Sequence, residues 1–168
     1  PNKANEMKWP FSMRWALSLW NKLFLNDGTF VEDKQQSAQW NRGAYIVQGL
    51  GHCGSCHTPR GIAFQEKTMS QAGKEGNLFL AGSTVDAWHA VNLRGIWTEP
   101  AIIEFLKTGR NDHSTAFGTM TEVIGLSTQH FSDDDLQAIA VYLKSLQPAP
   151  GVKAEAIKTA APQPVGCL

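Results

Sequence analysis

The chain has 168 residues, with fifteen basic and fifteen acidic side chains and no formal net charge. That balance gives no overall pull toward nucleic acid or another polyanion, and the length suffices for one domain with a real core plus extensions. Three cysteines are too few for a disulfide-dense secreted scaffold.

The chain reads as three zones: a tryptophan-rich lead at 1–36, a compact body at 37–147 and a tail at 148–168. No run of 18 uncharged apolar residues predicts a transmembrane helix. The start, PNKANEMKWP, lacks the basic-then-apolar order of a signal peptide, so a mature form or a piece of a longer chain is expected. The lead mixes Trp9, Trp15, Trp20 and Phe24 with Lys8, Arg14 and Lys22. One reading is an interfacial helix on a membrane surface. The favoured one is an extra helix packed on the body or on a neighbouring domain, because apolar residues occupy too much of the circumference for a clean amphipathic face.

In the body, Ser37 is a plausible N-cap for a helix carrying Trp40, Ala44, Val47 and Leu50 at helical spacing, with Gly51 as its stop. A second helix fits TEPAIIEFLKTG, with Thr98 as cap, Pro100 in the first turn and Gly109 after the end. A third follows Ser132. Asp135 sits at the capping-box position, three aspartates favour the positive helix start, and Leu136, Ile139, Leu143 and Leu146 form an apolar stripe before Pro148. No convincing alternating strand is visible. The expected body is all-helical, with long loops at 58–97 and 110–131 that need something to pack on. The tail, rich in Pro and Ala, reads as an extended linker. In it Cys167 is expected to be a free, exposed thiol.

The most specific stretch is GLGHCGSCHTPRG, residues 49–61. Cys53, Cys56 and His57 match C-x-x-C-H, the c-type haem attachment pattern. Two thiols on one helical turn can each add to a haem vinyl group, and the next residue then presents an imidazole to the iron. A thioredoxin-like dithiol lacks the strand–helix alternation it needs. Zinc lacks two further soft ligands, and two buried thiols beside an unrelated histidine would be a coincidence of spacing. A buried porphyrin would also give the long loops an apolar surface to wrap.

A low-spin carrier needs a second axial ligand, and a methionine raises the potential relative to histidine. Met7 and Met13 precede the motif, and Met69 follows it too closely to leave the proximal side. Met120, in TAFGTMTEVIG, has enough chain before it to cross the porphyrin edge. His113 or His130 is the minor alternative. His52 is expected to point away from the iron, and His89, His113 and His130 to make surface or loop hydrogen bonds. Arg60, Arg94 and Arg110, with Trp88 and Trp97, are candidates for the haem pocket and its propionates; solvated arginines and packed tryptophans are the equally plausible reading.

WNRGAYIVQGLGHCGSCHTPRG, FLAG…DAWHAVNLRG, FLKTGRNDHSTAFGTMTEVI and FSDDDLQAIAVYLKSL together resemble the multi-haem cytochrome c subunits of proteobacterial membrane-bound dehydrogenases. These serve alcohol, gluconate, sorbitol or glucose dehydrogenases, and the resemblance spans roughly residues 8 to 147. It implies an all-α, class I-like cytochrome c domain with one haem c, Cys53 and Cys56 as thioether sites, His57 proximal and Met120 distal. It also implies a quinoprotein or flavoprotein dehydrogenase as electron donor and a respiratory acceptor such as another haem, a quinone or an oxidase. Thioether formation outside the cytoplasm implies a periplasmic location, at the outer face of the cytoplasmic membrane if there is peripheral association. The family carries three such motifs and this chain one, so a fragment around the middle domain and a stand-alone relative both fit. The competing class is a haem enzyme with a labile sixth site, of peroxidase or thiosulfate-oxidising type.

Overall fold

The computed structural model describes residues 3, 6–9, 12–25, 28–72, 74–85 and 87–149. Cys167 and most of the tail drawn at 148–168 lie outside them. The chain divides into two compact units, Pro1–Val31 and Glu32–Leu168.

In the first unit, α1 spans Arg14–Phe24, and none of its residues is buried. Its C-terminus closes with the Leu25 N–H donating to the Asn21 carbonyl at 2.9 Å. Trp20 and Phe24, one turn apart, sit with ring centroids 5.6 Å apart. Among the described residues no helix is long and apolar enough to cross a membrane.

The second unit holds α2 (Ala38–Tyr45), α3 (Cys53–His57), α4 (Glu99–Thr108), α5 (Thr119–Leu126) and α6 (Asp133–Ser145). The three anticipated caps are present: Ser37, Thr98 and Ser132 accept from the backbone N–H groups of Trp40, Ala101 and Asp135. Gly109 ends α4 at φ 80°, the left-handed conformation a glycine adopts without a Cβ clash.

The packing centre is the crossing of α2 and α6. A Cβ on Gly43 would lie 2.0 Å from the Ala138 carbonyl oxygen and 2.8 Å from Tyr142 Cβ, so only glycine permits this approach. Polar contacts frame the seam. Arg42 makes a two-pronged ion pair with Asp135 at 2.7 and 3.0 Å, and Gln48 Nε2 donates to the Tyr142 hydroxyl at 2.7 Å. The Asp135 carboxylate answers Arg42 across the seam, while its backbone N–H donates to the Ser132 hydroxyl at 3.2 Å. Leu136, Ile139, Leu143 and Leu146 are all buried, as their spacing predicts.

Three details depart from the sequence reading. The first helix does not run regularly to Gly51: after Tyr45 it widens into a π turn, Ile46–Leu50, with the Gly51 N–H reaching back to the Ile46 carbonyl at 2.7 Å. The wider turn rotates Leu50 off the stripe, leaving it 61 % exposed while Ala44 and Val47 stay buried. The body is also not purely helical. Strands β1 (Ser83–Val85) and β2 (Trp88–Ala90) pair antiparallel, with Thr84 opposite His89. Finally, the stretch around Met120 is helical, not irregular, because α5 begins at Thr119.

The long excursion between α3 and α4 is tied down by buried hydrogen bonds. The Gly82 N–H donates to the His57 carbonyl at 2.8 Å, and the Leu80 N–H donates to the buried Thr58 hydroxyl at 3.0 Å. Arg94 is almost wholly buried. Its guanidinium donates to the carbonyls of Gly76, Phe79 and Gln147 at 3.0, 2.8 and 2.6 Å, which joins the excursion to the chain leaving α6. Burial holds its pKa below the ordinary arginine value, and three carbonyl dipoles solvate the charge in place of water.

Candidate haem site

Helix α3 is the five-residue turn Cys53–His57, and its geometry follows from its neighbours. His52 precedes it in the left-handed region at φ 47°, which breaks the chain away from the π turn. On its outer side, the Glu66 carboxylate accepts from the Ser55 hydroxyl at 3.1 Å. A Cβ on Gly54 would collide with that carboxylate at 2.4 Å, so the loop after the motif lies directly against it.

The inner side of α3 opens into a cavity of about 200 Å³ whose wall is overwhelmingly apolar. Of the residues singled out in the sequence, Cys53, Cys56, His57, Trp88, Trp97 and Met120 all line it. They come from α3, the β1–β2 hairpin, the entry to α4 and the first turn of α5, so distant parts of the chain converge on one space. Leu93, Ile102 and Ile139 help complete the wall.

Both thiols are free. Burial is the main influence that pushes the Cys53 thiol up to about 11, so it stays protonated at neutral pH. The imidazole of His57 is oriented from behind. Its Nδ1 lies 2.7 Å from the Val91 carbonyl oxygen. A carbonyl only accepts, so Nδ1 carries the proton and Nε2 of the neutral ring keeps its lone pair. Burial holds the His57 pKa below the ordinary histidine range, partly countered by the Val91 hydrogen bond and reinforced by nearby His89.

On α5, Met120 is the second residue of a helix introduced by Gly118 at φ 57° and ψ −143°, backbone territory open to glycine. The Trp88 indole covers that glycine: a Cβ there would lie 3.0 Å from Cδ2 and Cε2 of the ring. Trp88 also meets Phe117 with ring centroids 5.4 Å apart. Trp97 is braced by Phe105 at 5.1 Å and by a stacked His113 at 5.9 Å.

The arginines lie elsewhere. Arg60 donates to the carbonyls of Ser55 and Phe64, Arg94 to the three carbonyls described above, and the exposed Arg110 forms a backbone bridge with Thr115. None of the three lines the cavity, and neither does Met69, which is 45 % exposed. His52 and His89 do line it, although the sequence assigned them no part there. The Val91 carbonyl was invisible in the sequence, since a main-chain acceptor leaves no side-chain signature. Among the described residues no three His, Cys, Asp or Glu side chains gather as a metal-binding group.

No protein-family model matches the chain. Curated relatives do. It is 48 % identical over 153 residues to the gluconate 2-dehydrogenase cytochrome c subunit of Pantoea cypripedii, covering 86 % of this chain and 35 % of that protein. It is 49 % identical over 158 residues to the cytochrome c subunit of the quinone alcohol dehydrogenase of Gluconobacter oxydans, covering 89 % and 33 %. With the fructose dehydrogenase cytochrome subunit of Gluconobacter japonicus the identity is 35 % over 169 residues, covering 96 % and 32 %. The chain thus spans about a third of the length of the curated relatives it matches, and over that stretch it is homologous to the cytochrome c subunits of gluconate, alcohol and fructose dehydrogenases.

Proposed function

We propose that the body is a class I-like cytochrome c domain that carries electrons through one covalently held haem c with His57 and Met120 as axial ligands. The observation that supports this best is the convergence of Cys53, Cys56, His57 and Met120 on one apolar cavity, with His57 Nδ1 already committed to Val91. The donor set fits the group. Two thiols one helical turn apart suit thioether bonds, an imidazole with a free Nε2 and a thioether suit the iron, and apolar walls suit a porphyrin.

Bound haem supplies reversible one-electron chemistry. The residues of the chain do the rest. Cys53 and Cys56 tether the porphyrin, the Val91 carbonyl fixes the ring orientation and tautomer of His57, and the Trp88–Gly118 contact seats the turn that presents Met120. The apolar wall excludes water and so disfavours the more charged ferric state. No substrate bond is made or broken. The electrons come from a quinoprotein or flavoprotein dehydrogenase partner and pass to a respiratory acceptor: another haem, a quinone or an oxidase. The domain works in the periplasm, at the outer face of the cytoplasmic membrane.

The test is spectroscopic. Acid-acetone extraction should leave the haem on the polypeptide, and the ferric protein should be six-coordinate and low-spin with a weak near-infrared sulfur-to-iron band. Met120→Ala should remove that band, lower the potential and open a site for cyanide while the haem stays attached. Extractable haem would sink the thioether assignment. A high-spin resting spectrum would favour a haem enzyme with a labile sixth ligand, and loss of the band in Met69→Ala instead would move the ligand.

A further inference from the structure

We propose that α1 is a lipid-docking helix that lies flat on an anionic bilayer surface, its apolar arc sunk into the boundary between headgroups and acyl chains. This sharpens the membrane-surface location proposed above and does not depend on the haem assignment. At about 100° per residue, Arg14, Ser18, Asn21 and Lys22 fall within a single arc of about 100°. Every other position of α1 is apolar. The apolar residues do cover most of the circumference, yet they leave one continuous polar stripe, the pattern of a helix at an interface.

Much of the apolar arc is exposed. Trp15 is 67 % exposed, Leu19 55 % and Leu23 63 %. A soluble body would hide such side chains, since each gains by leaving water.

Charge identifies the occupant. Between Met7 and Asn26 the chain carries Lys8, Arg14 and Lys22 and no carboxylate, although acids and bases balance over the whole chain. A sheet of anionic headgroups complements all three cations together, whatever the heading of the helix in the plane. Trp9, Trp15 and Trp20 belong to the residue type that prefers this boundary. Eleven residues rise only about 16 Å, half of a hydrocarbon core, so the helix lies on the bilayer and does not cross it.

The full chain should float with vesicles of equal parts phosphatidylglycerol and phosphatidylcholine in a density gradient, and far less with phosphatidylcholine alone. Arg14→Gln with Lys22→Gln should weaken binding to the anionic vesicles roughly 30-fold, about fivefold per charge. Both side chains are exposed, so this variant leaves the fold alone. Trp15→Ser with Leu19→Ser and Leu23→Ser should abolish flotation. The visible haem spectrum, read on the same samples, should stay that of the parent and so reports on the body separately. A parent chain that stays out of the vesicle fraction would overturn the proposal. So would undiminished binding of the triple variant, or an α1-dependent dimer formed in place of lipid binding.

Discussion

Gly43→Ala tests the packing that holds the haem-side elements in place. The added Cβ would stand 2.0 Å from the Ala138 carbonyl oxygen, 2.6 Å from its carbonyl carbon and 2.8 Å from Tyr142 Cβ, where real Cβ contacts essentially never fall below 3.0 Å. The first two obstacles are main chain, so no side-chain rotation relieves them, and α2 and α6 must part by about 1 Å. Overpacking of this kind costs ~1–3 kcal/mol. Parting the helices also stretches the Arg42–Asp135, Gln48–Tyr142 and Trp40–Ser145 contacts, which are worth ~1 kcal/mol each when intact. Against this stands the better helix propensity of alanine, ~1 kcal/mol. The net expectation is a loss of about 2–4 kcal/mol, or roughly 10 °C in Tm for a unit of this size. Thermal and urea unfolding followed by far-UV circular dichroism measure it. Gly125→Ala is the control: nothing lies within 4 Å of a Cβ there, so it should be neutral or stabilising by up to ~1 kcal/mol. A Gly43→Ala protein as stable as the parent would refute the reasoning.

Gly118→Ala combines a φ of 57° with a Cβ 3.0 Å from the Trp88 ring; it should shift or weaken the near-infrared sulfur band by displacing the turn before Met120, and an unchanged band would separate that turn from the ligand. Arg94→Met leaves the carbonyls of Gly76, Phe79 and Gln147 without their donor, and urea unfolding should show a loss of about 3 kcal/mol. The Arg42 hydrogen bond holds the Asp135 carboxyl below the usual carboxylate range. A depressed folded pKa contributes stability that is present above the unfolded value, about 4, and lost as pH falls through the folded one. Asp135→Asn should therefore cost up to ~1 kcal/mol near neutrality, as befits a partly exposed pair, and the difference should shrink toward zero in acid; a pH-independent difference would assign it to something other than the charge.

Local chemistry made much of this protein legible in its sequence. The haem motif depends on a spacing within one turn, and the caps at Ser37, Thr98 and Ser132 act on backbone groups three residues away. Each can be read without knowing where the rest of the chain goes. The sequence singled out Met120, which lines the cavity, but it hid the helix that carries it: Gly118 before it and Gly125 within it have the residue type of breakers. The hairpin escaped because three-residue strands are too short to show alternation, and the π turn because one widened turn leaves the residue types unchanged. Tertiary structure alone decided the acceptor behind His57, which is the carbonyl of Val91, 34 residues on, and it spent the Arg94 guanidinium on three carbonyls from two parts of the chain. It also made Gly43 a contact surface for α6. Sequence spacing reports interactions that span a turn; a main-chain acceptor brought in by the return of a loop has no residue type to announce it.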